Sequence, residues 1–137
     1  MLSTKPVLLI EDDDVDILSL RRAFNEISFP NPIKNAKNGE EAIAYLTDKT
    51  NELPGIILLD LNMPRMNGIE FLRLLKSKPV LKLIPVIILT TSSNKADVEN
   101  AFNAQVSGYM IKPIDFNEFK KIILHICNYW SASELPY

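Results

Sequence analysis

Four short runs of aliphatic residues each end at a side chain that can bind an ion or a phosphate. The runs and the residues that follow them are 7–10 before Glu11 and Asp12, 56–59 before Asp60, 86–89 before Thr90, and 109–111 before Lys112. Short apolar runs bounded by turn-forming residues are typical of strands buried on both faces, as in a parallel sheet. Because ligands bind at the carboxyl ends of such strands, we expect two or three carboxylates, a hydroxyl and an ammonium to meet along one edge.

The segments between these runs have the apolar spacing of helices, so strand and helix alternate along the chain. A weaker strand is expected at residues 33–36, and Asp13 or Asp14 could cap a first helix that ends before Pro30. The last helix carries apolar residues at intervals of 3 and 4, namely Phe116, Phe119, Ile122, Ile123, Ile126 and Trp130. The pattern predicts one α/β domain, a five-stranded parallel sheet doubly wound by helices on both faces.

Composition excludes several classes of function. The 137 residues carry a net charge of −2 and no cluster of Lys and Arg, which argues against nucleic acid binding. No segment is apolar enough for a membrane span or a signal peptide, so a cytoplasmic location is expected. The single cysteine, Cys127, permits no internal disulfide and is expected in the core, and the single histidine, His125, is expected on a helix surface rather than at a metal.

The residues at the predicted sheet edge suit a metal ion and a phosphoryl group. Adjacent carboxylates such as Glu11, Asp12 and Asp60 repel one another unless a cation lies between them, and Mg²⁺ is commonly held by one or two carboxylates plus a phosphate. Lys112 and Thr90 provide an ammonium and a hydroxyl for phosphate oxygens. A carboxylate in such surroundings can become an aspartyl phosphate, and Asp60 is the one that stands alone.

Each of these residues also has an ordinary structural explanation. Asp13, Asp14 and Asp16 are better explained as capping or first-turn acids of the first helix than as ligands. Taken singly, Thr90 could cap the next helix and Lys112 could be a solvated surface lysine. Four such residues at four strand ends favour a common site.

Four segments carry a resemblance to a known family. Residues 8–13, 58–68, 85–90 and 108–113 resemble the signatures of the response-regulator receiver domain of two-component signalling. The similarity spans about residues 5–128 in the family's order. It implies a flavodoxin-like fold in which Asp60 accepts a phosphoryl group from a histidine kinase or a histidine phosphotransfer protein.

The resemblance also implies the roles of the other site residues. Asp12 would bind Mg²⁺, or Mn²⁺ as a substitute, together with Asp60 and the backbone carbonyl of Asn62, while Glu11 would hold a metal-bound water. Lys112 would pair with a phosphate oxygen.

The resemblance further implies a pair of switch residues, and one position departs from the family. Thr90 would move to contact the phosphoryl group, and Tyr109 would then turn inward. The Lys112–Pro113 bond would be cis. Thr91 stands where a smaller residue is usual, so its side chain could slow entry of the phosphodonor.

The last nine residues, 129–137, suggest a narrower resemblance. With residues 61–64 and 89–92, they resemble the stand-alone regulators that partner cyanobacterial and bacterial phytochromes. Exposed Trp130, Leu135 and Tyr137 could form an apolar patch through which two copies associate as a homodimer. The alternative is that this tail covers the end of its own sheet.

We therefore interpret residues 1–137 as a single receiver domain that signals through its own surface and catalyses only its own phosphorylation and dephosphorylation. One rival is a Mg²⁺-dependent phosphohydrolase that forms an aspartyl phosphate on an external substrate. Such enzymes usually carry an acid two positions after the nucleophile, where this chain has Asn62. The other rival is a receiver that acts as a scaffold without phosphorylation, against which the complete set Asp12, Asp60, Thr90 and Lys112 argues.

Overall fold

The computed structural model describes residues 4–137, and these form one parallel sheet with five α-helices. The strands are β1 (Val7–Ile10), β2 (Ile33–Ala36), β3 (Ile56–Leu59), β4 (Val86–Thr90) and β5 (Gly108–Ile111). The helices are α1 (Asp14–Glu26), α2 (Gly39–Thr47), α3 (Gly68–Lys76), α4 (Lys95–Asn103) and α5 (Phe116–Ala132), and a 3₁₀ turn at Leu81–Leu83 precedes β4. The expected alternation of strand and helix is confirmed.

The strand order β2-β1-β3-β4-β5 places the switch in winding direction between β1 and β3. All four strand pairs are parallel, and the register sets Ile10 beside both Ala36 and Leu59. Crevices at the carboxyl ends of strands next to such a switch point are where ligands bind in this kind of sheet. The residues that follow β1 and β3 therefore lie side by side at the favoured position.

Alternation of side chains along the strands builds a core on each face of the sheet. Leu8 and Ile57 belong to the cluster with α2, α3 and α4, while Leu9 and Leu58 belong to the cluster with α1 and α5. β1, β3 and β4 are buried throughout, whereas the edge strands β2 and β5 are partly exposed. The edge position explains why β2 has a weaker apolar signal than the central strands.

The C-terminal tail packs against its own domain. Trp130 is 3% exposed, and its ring lies 5.7 Å from that of Phe29. Room for the indole comes from Gly55, where a Cβ atom would lie 2.3 Å from indole Cζ2. The half-buried Tyr137 donates its hydroxyl to the carbonyl of Pro54 at 2.7 Å. The prediction of an exposed patch around Trp130 is wrong, because the apolar stripe of α5 ends inside the core.

Cys127 and His125, each the only residue of its type in the sequence, lie where we expected them. Cys127 is buried on α5, and burial raises the pKa of its thiol to about 12, as befits a core residue. His125 is exposed on the same helix. Within residues 4–137, none of the helices is both long and apolar enough to cross a membrane.

Candidate functional site

The acidic residues that follow β1 and β3 meet at the switch point of the sheet. Glu11, Asp12 and Asp60 each place a carboxylate oxygen within 4.8 Å of the others. The backbone N–H of Asp60 donates to the carbonyl of Ile10 at 3.0 Å, which continues the β1–β3 pairing up to the site. Glu11 is buried, whereas Asp12 and Asp60 are partly exposed. The cluster thus combines an inner carboxylate with two that solvent can reach.

Lys112 is the cation of this cluster. Its Nζ lies 2.5 Å from Oε1 of Glu11 and 2.9 Å from Oδ2 of Asp16, and its side chain is 8% exposed. Burial alone would lower the pKa of Lys112. The hydrogen bond and charge of Glu11, the hydrogen bond of Asp16 and the charge of Asp60 outweigh it and raise this pKa. The ammonium therefore stays charged at neutral pH.

For the pKa of Glu11, the effect of burial is larger than the opposing effect of Lys112. Burial raises the pKa of Glu11 to about 8, with the neighbouring Asp60 adding to the rise, although the hydrogen bond from Lys112 acts to lower it. Its second oxygen accepts the N–H of Asp12 at 3.1 Å. Bringing a further positive charge to the cluster would favour the ionised form of Glu11, since an opposite charge stabilises a carboxylate.

Asp16 belongs to the site although the sequence analysis assigned it only to the first turn of α1. The N-cap is Asp13, whose side chain accepts the N–H groups of Val15 and Asp16. Asp16 does lie in that first turn, but its carboxylate points to Lys112. Its spacing of four residues from Asp12 is the only hint the sequence offers, because its partner lies 96 residues away.

Thr90 and Tyr109 lie beside the cluster and share a contact with Ser92. Thr90 is fully buried, and its Oγ1 accepts the N–H of Ser92 at 3.4 Å. The half-buried Tyr109 donates its hydroxyl to the carbonyl of Ser92 at 2.8 Å. Ser92 in turn donates its own hydroxyl to Asp97 of α4 at 2.5 Å. Ser92 and Asp97, which we did not predict, thus connect the two predicted switch residues to α4.

The loop after β3 completes the cleft and is closed by Gly68. The N–H of Gly68 donates to the carbonyl of Leu61 at 3.1 Å, and a Cβ atom at Gly68 would lie 2.7 Å from the carbonyl oxygen of Asp60. Arg65, at φ 64°, takes the left-handed conformation that turns this loop. The residues that line the cleft are Asp12, Asp13, Asp14, Val15, Asp16, Asp60, Asn62, Thr91 and Lys112. The exposed Asn62 and Thr91 therefore line the same cleft as Asp60.

The prediction of a cis bond before Pro113 is wrong. No peptide bond within the described residues 4–137 is cis. Trans is the more stable isomer of an X–Pro bond by about 0.5–1 kcal/mol, and a cis bond requires a tertiary context that overcomes this difference. Here the trans bond is compatible with the ion pairs of Lys112.

The donor set suits a hard divalent cation. Three carboxylates with converging oxygens, two of them partly exposed, match the oxygen ligands and the open positions that Mg²⁺ prefers. Because Lys112 lines the same cleft as Asp60, the arrangement offers an ammonium as well as metal ligands for neutralising a phosphoryl group. The geometry therefore fits phosphate chemistry at Asp60 better than a closed structural metal site.

Two known proteins are similar to this chain over most of its length. The chain is 35% identical to the probable methanogenesis regulatory protein FilR2 of Methanothrix harundinacea, over 90% of this chain and 82% of that protein. It is 32% identical to response regulator Rcp1 of Synechocystis, over 92% of this chain and 88% of Rcp1.

Solved structures are similar as well. The phosphorylated cyanobacterial phytochrome response regulator RcpA superimposes with a TM-score of 0.90 and 34% identity, covering 98% of this chain and 100% of that one. The Mn²⁺-bound form of Rcp1 superimposes with a TM-score of 0.88 and 31% identity, covering 97% and 99%. The flavodoxin-like fold and the similarity to phytochrome response regulators, both expected from the sequence, are confirmed.

The family itself is established by residues 7–124, which match the response regulator receiver domain. Receiver domains are signalling proteins that are phosphorylated by histidine kinases or phosphotransfer proteins and that bind Mg²⁺ or Mn²⁺ at an acidic pocket. With five parallel strands in the matching order and an acidic cluster at their carboxyl ends, this chain belongs to the response-regulator receiver-domain family.

Proposed function

We propose that Asp60 is the phosphoacceptor of this receiver and that Mg²⁺ bound beside it is required for the reaction. The observation that carries the proposal is the convergence of Asp12, Glu11 and the partly exposed Asp60 within 4.8 Å, with Lys112 lining the same cleft. No other group of three or more potential metal-ligating side chains of this kind is found among residues 4–137.

The chemistry is a transfer between a phosphohistidine and a carboxylate. An oxygen of Asp60 forms a bond to phosphorus as the bond from phosphorus to the imidazole nitrogen of the donor breaks, and the electron pair stays with the imidazole. Water later attacks the phosphorus, which restores the carboxylate and releases inorganic phosphate. Together the two steps return Asp60 to its free carboxylate, because the Asp60 O–P bond formed in the first step is broken in the second. The catalysis is therefore confined to the protein itself.

The surrounding residues hold charge in place during these steps. Asp12, Asp60 and the backbone carbonyl of Asn62 would hold the Mg²⁺, and Glu11 would act through a metal-bound water. The ion, when bound, offsets the negative charge of the phosphoryl group. Lys112 provides the second positive charge, and Thr91 limits access from the open side of the cleft.

Signalling follows from the groups that meet at Ser92. Thr90 and Tyr109 both contact this residue, and Ser92 is bonded to α4 through Asp97. A phosphoryl group on Asp60 that attracts the hydroxyl of Thr90 would therefore disturb the position of Tyr109 and of α4. The surface that changes is the one around α4 and β5.

The phosphohydrolase alternative is less favoured because Asn62, a neutral amide, stands where such an enzyme needs an acid or base. The scaffold alternative is less favoured because nothing is missing from the set Asp12, Asp60, Thr90 and Lys112. We retain a histidine kinase or phosphotransfer protein as the phosphodonor, and the similarity to RcpA and Rcp1 favours a kinase of the phytochrome class. A single domain over residues 1–137 and a cytoplasmic location stay predictions.

The homodimer also stays a prediction, without the surface on which it was based. Trp130 is buried and Tyr137 is bonded to Pro54, so neither offers a free apolar face. Exposed apolar side chains elsewhere include Phe102 on α4, Ile111 at the end of β5 and Tyr129 on α5. Light scattering over a concentration series, with and without beryllofluoride, would measure self-association.

The division of roles predicts different effects for two substitutions. Asp12→Ala should weaken Mg²⁺ binding and lower phosphorylation by acetyl phosphate by at least about tenfold, since a metal ligand is lost. Thr90→Ala should leave phosphorylation within about threefold of the wild type, because Thr90 is buried outside the cleft lining. Intact-mass spectrometry with and without excess chelator measures both. Equal loss in the two variants, or phosphorylation that persists in chelator, would contradict the proposal.

A further inference from the structure

Lys112 is shared between two carboxylates, and only one of them belongs to the metal cluster. Glu11 lies at 2.5 Å and Asp16 at 2.9 Å from its Nζ, and their side chains are 1% and 40% exposed. Glu11 comes from the end of β1, whereas Asp16 projects from the first turn of α1. The ammonium is therefore held from the helix side of the cleft by a residue with no part in the predicted metal shell.

An ammonium has three N–H donors, and two of them are taken by these carboxylates. From the geometry we infer that Asp16 is a positioning residue that restrains Lys112 against α1 and so weakens the hold of the cleft on a phosphoryl group at Asp60. This inference rests on the proposed function. It adds a residue that sets the affinity of the site and takes no part in the chemistry.

The physical reason is competition for one cation. A phosphoryl oxygen at Asp60 and the carboxylate of Asp16 both attract Lys112, and each gains less when the other is present. Asp16 and Lys112 also line the cleft together with Asp60, so the negative charge of Asp16 faces the incoming group. Both effects act in one direction, and loss of the Asp16 charge should strengthen binding of a phosphoryl mimic.

Asp14 supplies a matched control for the charge effect. It lies in the same first turn of α1 and lines the same cleft, but its ion pair is with Lys37 at 3.1 Å. Asp14→Asn therefore removes one negative charge from the cleft and leaves Lys112 untouched. Comparing the two Asn variants separates the tether on Lys112 from general repulsion.

The experiment measures the dissociation constant of beryllofluoride, formed from beryllium chloride and sodium fluoride, at saturating Mg²⁺. Amide resonances of residues 60–62 report binding. Relative to Asp14→Asn, Asp16→Asn should bind about fivefold more tightly, which corresponds to about 1 kcal/mol, the upper range for a partly exposed ion pair. Asp16→Glu, which restores the carboxylate, should return the affinity toward that of the wild type.

A double-mutant cycle with Lys112→Ala tests whether the effect passes through the lysine. In that background Asp16→Asn should differ from Asp14→Asn by less than about twofold, the usual limit for independent sites. Equal affinities of the two single variants, weaker binding by Asp16→Asn, or a gain that persists without Lys112 would each overturn the inference.

The proposed function and the role of Asp16 can be refuted separately. If wild-type protein does not bind beryllofluoride with Mg²⁺, or if Asp60→Asn binds it equally well, the proposed function is wrong. If wild-type protein binds it at Asp60 and the Asp16 and Asp14 variants behave alike, only the role of Asp16 is wrong. Mg²⁺ affinity measured without beryllofluoride should be the same in both Asn variants within about twofold.

Discussion

Gly68 controls the approach of the β3–α3 loop to the phosphoacceptor. It is the first residue of α3, and its N–H closes the loop onto the carbonyl of Leu61. A methyl group on Gly68 would lie 2.7 Å from the carbonyl oxygen of Asp60 and 2.8 Å from Cα of Leu61, both backbone atoms. The position of Asp60 therefore requires a residue without a side chain at position 68.

Gly68→Ala should destabilise the fold by about 1–3 kcal/mol, the usual cost of overpacking, and slow phosphorylation because the loop must move. Gly39→Ala is the matched control. Gly39 is also the first residue of a helix, but its added methyl group would meet the side chain of Met66, which can rotate away more readily than backbone. Urea unfolding and acetyl phosphate labelling check both. A smaller loss in Gly68→Ala than in Gly39→Ala would contradict the account.

The positions of site residues could be predicted where they depend on the ends of strands. Asp12 and Asp60 each follow a buried apolar run, so their meeting at the sheet edge was foreseeable. The contact of Asp16 with Lys112 was not foreseeable, because it depends on the distance between α1 and the end of β5 in the folded chain. The isomer of the Lys112–Pro113 bond was also missed, since its two states differ by about 1 kcal/mol or less.

At the scale of elements, α4 is the α-helix that buries the least apolar side chain. Its single buried side chain is that of Ala101, in agreement with its low apolar content in the sequence. Polar contacts at its N-terminus therefore carry more of its attachment: Asn94 caps the helix, and Asp97 accepts the hydroxyl of Ser92. An element held in this way can shift at a modest cost in free energy.

Ser92→Ala should loosen the β4–α4 connection. It removes the bond to Asp97 and the weaker one from the N–H of Asn94 at 3.3 Å, with an expected loss of about 1 kcal/mol in stability. Amide hydrogen exchange should accelerate over residues 92–97. Ser93→Ala, an exposed neighbour in the same loop, serves as control and should change little. Equal exchange in the two variants would show that the Ser92 hydroxyl does not hold α4.

At the scale of the whole molecule, the C-terminal residues pack near the start of β3. This is the end of the sheet opposite the functional site. Tyr137 reaches the carbonyl of Pro54, next to Gly55 and the start of β3, and the ammonium of Lys5 lies 5.2 Å from the centre of its ring. The alternation of short apolar runs with segments of helical apolar spacing predicted the sheet and its helices. The sequence left this closure open as the alternative to a homodimer patch, because periodicity in α5 does not reveal whether Trp130 meets its own domain or a second copy.

Tyr137→Phe should lower stability by about 1 kcal/mol through loss of the hydrogen bond to Pro54, whereas Tyr129→Phe, at an exposed position, should have little effect. Burial raises the pKa of Tyr137. The protonated phenol therefore stabilises the fold fully below the unfolded pKa of about 10. This contribution is lost progressively as pH rises from there through the higher pKa of the folded state. Thermal unfolding from pH 7 to 11 checks both. Equal losses in the two variants would contradict the packing of the tail.

Mapping the residue that carries the phosphoryl group tests the assignment of Asp60 as phosphoacceptor. Protein treated with acetyl phosphate and Mg²⁺ is reduced with borohydride, which converts an aspartyl phosphate to homoserine, and is then digested for peptide mass spectrometry. We predict homoserine at position 60 alone, with no modification in excess chelator and none in Asp60→Asn. Modification at Asp12 or another carboxylate, or none at position 60 in the presence of Mg²⁺, would contradict the assignment of Asp60 as phosphoacceptor.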